Sequence, residues 1–170
     1  MPTVRRLHAL SPADIDALAQ VLIDCVDGGA SVSFMHPLSS AAARTFWQHV
    51  ADDVARAERA LLVAEDDAGI VGTVQLMLAQ PENQPHRADL AKMLVHRRAR
   101  CQGVGAALLA AAEQAALDAG KTLLVLDTAS AEAERLYQRA GWQRCGTVPG
   151  YALLPRGGLC ATTFFYRQLG

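Results

Sequence analysis

The sequence predicts a mixed α/β fold: one domain over residues 1–170, with a sheet of about seven strands flanked by four helices. Three observations carry this. Strand-type and helix-type hydrophobic spacings alternate in the order βααβββαβαββ. The run Leu123-Leu124-Val125-Leu126 is apolar at every position, as in a strand buried on both faces and paired in parallel. A chain of 170 residues, 51% of them hydrophobic, suffices for one core and has the usual size of one domain.

Each element has a local cause. Thr3 to Ala9 reads as the first strand. Ser11-Pro12 then opens a helix, with serine as N-cap and proline at the first helical position. Ile15, Leu18, Ala19, Leu22 and Val26 form its apolar stripe, and Gly28-Gly29 ends it. A mixed polar and aromatic loop, Ala30 to Leu38, leads to a second helix from Ser39 or Ser40 to Ala57. Ala60–Glu65 and Ile70–Ala79 are strands joined by the hairpin turn Asp66-Asp67-Ala68-Gly69. After the loop Pro81–Pro85 comes a strand from Asp89 to Val95, then a glycine turn and a helix that stops at Gly120. The strand Leu123–Leu126 carries Asp127-Thr128 at its end, and Ser130–Arg139 is a short helix with Ala133, Leu136 and Tyr137 on one side. Trp142–Tyr151 and Ala161–Arg167 are the last strands, turned at Pro155–Gly158, with Trp142 expected in the core.

Composition excludes several function classes. Sixteen cations against seventeen anions give a net charge of −1, which argues against a dedicated nucleic-acid binder. No apolar run approaches the roughly twenty residues of a membrane span. The N-terminal Met-Pro-Thr-Val-Arg-Arg has no signal-type apolar region, so a cytoplasmic location is expected. Cys25, Cys101, Cys145 and Cys160 show no C-x-x-C spacing and read as reduced thiols. The histidines show no metal-type spacing, so no metal is expected.

The stretch from Asp89 to Gly120 carries the chemistry. The strand turns through His96, Arg97, Arg98 and Arg100 into Gly103-Val104-Gly105, and the helix that follows repeats Val104, Leu108, Ala111, Ala112, Ala115 and Ala116 at helical spacing. Its first acid is Glu113. A helix start is positive and normally attracts acids. One left bare, preceded by cations and built from glycine, suits a phosphate or pyrophosphate. A P-loop needs Gly-Lys-Ser/Thr here, but Gly105 is followed by Ala106-Ala107; a dinucleotide fingerprint needs a third glycine, and Leu108 stands there.

Arg100-x-x-Gly103-x-Gly105 after a strand ending in Val95 resembles the signature of the GNAT superfamily of acetyl-CoA-dependent N-acetyltransferases. Leu124-x-Leu126-x-Thr128, then Ala133, Leu136-Tyr137, Gly141-Trp142 and Gly146, resembles the second signature of the same superfamily. The resemblance implies a GNAT-like sheet and acetyl-CoA as co-substrate. It implies that Met93, Leu94 and Val95 hold the pantetheine arm, and that Arg100, Cys101, Gln102, Gly103, Val104, Gly105 and Ala106 hold the pyrophosphate. The family often has Asn seven residues before the tyrosine; Ser130 stands there and offers a hydroxyl instead. The loop bearing Ser33, Phe34 and His36 falls where the family borders its acceptor site. The pieces Gly28–Val32, Phe34-Met35, Arg87–Asp89, Leu126–Thr128 and Pro149–Tyr151 resemble toxin-resistance members that acetylate the free amine of an amino-acid-like β-lactam.

The implied reaction is attack by a primary amine on the thioester, with proximity supplying much of the rate. The acceptor expected is a small amino-acid-like or antibiotic-like amine; the alternatives are a protein or peptide amine, or a non-catalytic acyl-CoA-binding module. Tyr137 matches the family tyrosine that donates to the departing thiolate. The N–H of Val95 or Leu94 is the expected oxyanion donor. Asp89 and Asp127 are expected to face one acceptor pocket, where they either relay the ammonium proton through water or only position the amine. An aspartate with the free pKa of about 3.9 is a poor direct base for an amine. Monomer and homodimer are both left open.

Overall fold

The computed structural model describes residues 2–170. In chain order the elements are β1 (Thr3–Leu7), α1 (Pro12–Asp27), α2 (Ser40–Ala55), β2 (Arg59–Asp66), β3 (Gly69–Met77), β4 (Arg87–Val95), a 3-10 turn (Arg97–Ala99), α3 (Val104–Asp118), β5 (Leu123–Thr128), α4 (Ala131–Arg139), β6 (Gln143–Leu153) and β7 (Leu159–Gln168). They form the expected seven-stranded mixed sheet with four helices, ordered β1-β2-β3-β4-β5-β7-β6. Every neighbouring pair is antiparallel except β4 and β5.

The helix starts follow from their caps. Ser11 accepts from the Asp14 N–H while Asp14 accepts from the Ser11 N–H, a reciprocal capping box with Pro12 behind it. Ser39 caps α2 through the Ala42 N–H. Alternation along β2 divides the core in two. Ala60, Leu62 and Ala64 face α3 and pack with Val104, Leu108 and Ala112. Leu61 and Val63 face α1 and α2 and pack with Leu18, Leu22 and the fully buried Trp47. Among the described residues no helix is long and apolar enough to cross a membrane.

Gly72 lets α3 sit close. A Cβ there would lie 3.0 Å from Val104 Cγ1, 3.1 Å from Leu108 Cδ1 and 3.1 Å from the Leu94 carbonyl oxygen. Gly72→Ala is therefore expected to cost about 1–3 kcal/mol as an overpacked contact. A urea midpoint no lower than wild type would show that the contact relaxes freely.

Several boundaries differ from the sequence reading. β1 ends at Leu7, because His8 to Leu10 turn the chain into the Ser11 cap. α2 ends at Ala55, with Ala57 already in the left-handed region at φ 57°. β3 stops at Met77, β4 begins at Arg87 by pairing with Leu123, and β7 begins at Leu159 by pairing with Leu153. The strand Leu123–Leu126 is not buried on both faces. Leu124 and Leu126 are buried under α3 and α4, whereas Leu123 and Val125 are half-buried and Val125 borders an open cavity on the other face.

Candidate active site

The site begins where β4 and β5 part. Their parallel register runs from Arg87↔Leu123 to Asp89↔Val125 and then ends. On its other side β4 is bulged against β3: the register shifts between Thr73 and Gln75, and Lys92 takes φ 52°. A cavity of about 620 Å³ occupies the splay, bordered by Leu90–Val95, the tip of α3, Leu126–Ser130 and Tyr137.

The α3 tip is as bare as the sequence implied. Gly103 occupies the N-cap in the left-handed region at φ 78°, with no side-chain cap and no acid in the first turn. Cys101 is also left-handed, at φ 59°. The first backbone N–H groups are thus unclaimed by a cap. Arg100, Cys101, Gly103, Val104, Gly105 and Ala106 all border the cavity; the Gln102 side chain turns away and donates to the Arg98 carbonyl at 3.1 Å. Most of the preceding cations are committed elsewhere. The Arg97 N–H and Nε donate to Asp24 at 2.8 and 2.9 Å, His96 Nε2 lies 3.6 Å from the same carboxylate, and Arg98 pairs with Asp66. Arg100 is left at the cavity wall, its Nε 3.3 Å from the Val95 carbonyl.

Asp24 therefore ties the end of α1 to the turn that precedes the cavity. Burial alone would raise its pKa, but the backbone and side-chain hydrogen bonds from Arg97 outweigh this and hold it below the ordinary value. A depressed carboxylate pKa contributes stability that is present above the unfolded pKa of about 3.9 and lost as pH falls through the folded one. Asp24→Asn is expected to lower Tm at pH 7, with the gap to wild type closing as the pH falls below the free aspartate value of about 3.9. A gap independent of pH would assign the loss to packing instead of charge.

Tyr137 is 3% exposed, its ring against Trp142 and Phe165 at centroid distances of 5.6 and 5.9 Å, and it borders the cavity. Burial pushes its phenol well above the usual tyrosine value, and the Asp127 charge adds to this. The group stays protonated and can act as a donor. Trp142 is core, its Nε1 donating to Glu113 at 2.8 Å. Ser130 caps α4, accepting from the Ala133 N–H at 3.2 Å, and still borders the cavity with its own proton free to donate.

A second cavity of about 470 Å³ opens on the α2 side of the sheet. It shares Leu90, Ala91, Lys92, Leu126 and Asp127 with the first, so the two meet at the splay. Asp89 and Asp127 both border it. Asp89 is ion-paired with Arg87, and Asp127 accepts from Thr162 Oγ1 at 2.8 Å.

Residues 57–144 match the acetyltransferase (GNAT) domain family. An uncharacterized N-acetyltransferase of Azospirillum brasilense, from the hisH–hisA intergenic region, is 30% identical over 148 residues, which are 86% of this chain and 83% of that protein. The chain belongs to the GNAT acetyltransferase family. Its fold is shared by solved structures of low identity. A ribosomal-protein-alanine N-acetyltransferase from Brucella melitensis superposes with a TM-score of 0.80 at 22% identity, covering 98% of this chain and 99% of that one. A GNAT phosphinothricin acetyltransferase from Sinorhizobium meliloti, solved in complex with acetyl-CoA, superposes with a TM-score of 0.79 at 19% identity, covering 99% and 89%.

In this GNAT chain the loop before α2 behaves unevenly. Ser33, left-handed at φ 79°, borders the first cavity and accepts from Lys92 Nζ at 3.0 Å. Phe34 borders neither cavity; it packs edge-on against Phe46 at 5.3 Å. His36 also lies outside both: its N–H donates to the Pro155 carbonyl at 2.8 Å, and its Nε2 is 3.5 Å from Asp27. The sequence reading did not single out Arg59, Gln75 or Lys92 for the site, and all three border the second cavity. Burial pulls the Lys92 ammonium below the usual lysine range and Arg59 adds to this, while Asp127 opposes it.

Proposed function

We propose that this GNAT acetyltransferase moves the acetyl group of acetyl-CoA to the primary amine of a small amino-acid-like or antibiotic-like acceptor, and that residues 1–170 act as one acetyltransferase domain. The observation that carries this reading is the meeting of the two cavities at Lys92 and Asp127. Donor and acceptor would thereby approach from two connected cavities and share one reaction centre.

In this reading the pyrophosphate sits on the amides from Arg100 to Ala106, with Gln102 contributing only its backbone, and Ser130 donates a further bond. The pantetheine arm runs along Met93 to Val95 through the splay. The acceptor ammonium meets Asp127, which holds it and takes its proton through water. The free amine attacks the thioester carbon, the oxyanion is met by the N–H of Leu94 or Val95, and the C–S bond breaks. Tyr137 gives its proton to the departing thiolate, and the proton released by the amine restores the phenol. Asp89, tied to Arg87, shapes the acceptor wall.

The loop Ala30–Leu38 supports a small acceptor. It is tethered on one side by Lys92 to Ser33 and on the other by His36 to Pro155, and a fixed loop beside the first cavity favours a small acceptor over a peptide in this reading. Phe34 and His36 hold this loop in place from outside the cavities. The likeness of several short pieces to the tabtoxin resistance acetyltransferase points the same way, toward a free amine on an amino-acid-like molecule.

The test is release of free thiol from acetyl-CoA with amino acids, amine antibiotics and short peptides as acceptors. Turnover with small amines and none with peptides is expected. Turnover with peptides alone would move the acceptor to a protein N-terminus. No turnover at all, with acetyl-CoA still adding about 2.7 kcal/mol of stability at 100 times its Kd, would make the chain a binding module.

A further inference from the structure

We propose that Arg59, Gln75 and Lys92 form a subsite for an oxyanion carried by the acceptor itself, opposite the amine received at Asp127. The inference rests on the reading of the second cavity as the acceptor site. Strand register creates the cluster. Arg59 pairs with Met77, Gln75 pairs with Leu61 on one side and Ala91 on the other, and Met77 pairs with Asp89. Alternation then puts Arg59, Gln75, Met77, Asp89 and Ala91 on one face, the floor of the second cavity.

Gln75 is completely buried, yet it is a polar residue on a floor that leucine would fill as well. Its Oε1 accepts from Arg59 Nη1, which assigns the other end as the amide nitrogen, and that Nε2 has no partner. Arg59 Nε, also buried, has none either. Of the four buried donors without a partner among the described residues, the other two, on Trp47 and Arg167, lie away from this cavity, whereas Gln75 Nε2 and Arg59 Nε belong to neighbouring residues of one cavity floor, where an acceptor atom would satisfy both. Lys92 adds an ammonium that spends one of three hydrogens on Ser33.

Every one of these groups donates, which selects an anion and excludes a second amine. The nearby acids do not fill the role. Asp53 is bonded to Arg59 Nη2 at 2.7 Å and Asp89 is bonded to Arg87, which leaves Lys92 and Asp127 as the opposed charges of the cavity. A zwitterion matches that pair: its amine at Asp127, its oxyanion on Arg59 Nε, Gln75 Nε2 and Lys92 Nζ. Carboxylate and phosphonate share this chemistry.

The experiment compares three matched sets of acceptors with the full-length enzyme: the standard L-amino acids, the amines left by their decarboxylation, and the corresponding 1-aminoalkylphosphonates. For side chains that are accepted, kcat/KM for an acid is expected to exceed that for its decarboxylated amine by at least about 100-fold. Which acid set leads assigns the group to carbon or to phosphorus. Gln75→Leu and Arg59→Met should shrink the preference to under about tenfold by raising the acceptor KM, while acetyl-CoA still produces its wild-type thermal shift. Decarboxylated amines acetylated as well as the acids would overturn the subsite and leave the small-amine reading standing, whatever the variants do. Transfer to peptides but to none of the three sets would overturn both.

Discussion

Replacing Tyr137 by Phe is expected to lower kcat about 100-fold, the scale of a lost general acid, while the KM for acetyl-CoA stays within about twofold. The ring is held by Trp142 and Phe165, contacts that Phe preserves, so the substitution removes a hydroxyl and little else. Because burial raises the phenol's pKa, wild-type activity should show no loss of this proton up to about pH 10, the ordinary tyrosine value. A donor whose leaving thiol is more acidic than CoA needs less protonation, so it should narrow the gap between variant and wild type. Equal kcat with acetyl-CoA would remove the phenol from the mechanism and leave it a core aromatic.

Asp127→Asn is expected to reduce kcat/KM for the amine by about 100-fold, comparable to removing a group that handles the reacting proton. Asn still accepts from Thr162, so the local hydrogen bond survives and the charge is what is lost. The deficit should shrink as the pH approaches the pKa of the amine, because solution then supplies the deprotonated acceptor that Asp127 otherwise provides. A deficit that is constant with pH and accompanied by a lower Tm would assign Asp127 to structure.

Much of the fold was legible because its signals are local. Ser11-Pro12, Ser39, the Asp66–Gly69 turn and the helix-stop glycines each fix one boundary within a few residues. The bare tip of α3 at the first cavity was legible for the same reason: Arg100 to Ala106 is one continuous stretch, with Gly103 as its left-handed N-cap. The lining of the second cavity was not. Arg59, Gln75 and Lys92 lie on three strands and meet only through cross-strand register and a bulge at Lys92, neither of which a single sequence declares. Phe34 and His36 look like site residues in a loop of mixed character, but whether such a side chain points inward depends on packing against Phe46 and on the distant Pro155. The apolar run Leu123–Leu126 misled for the opposite reason. Its composition suits burial on both faces, yet the sheet face beyond α2 is left open as a cavity.

The most direct measurement is a crystal structure of the enzyme with CoA. The expected result is the pyrophosphate on the amides of Gly103 to Ala106, the pantetheine between Met93–Val95 and Leu126–Thr128, and the sulfur within hydrogen-bonding reach of the Tyr137 hydroxyl, on the path to Asp127. CoA lying outside the splay, or a sulfur remote from both Tyr137 and the second cavity, would contradict the shared reaction centre on which every role assigned above depends.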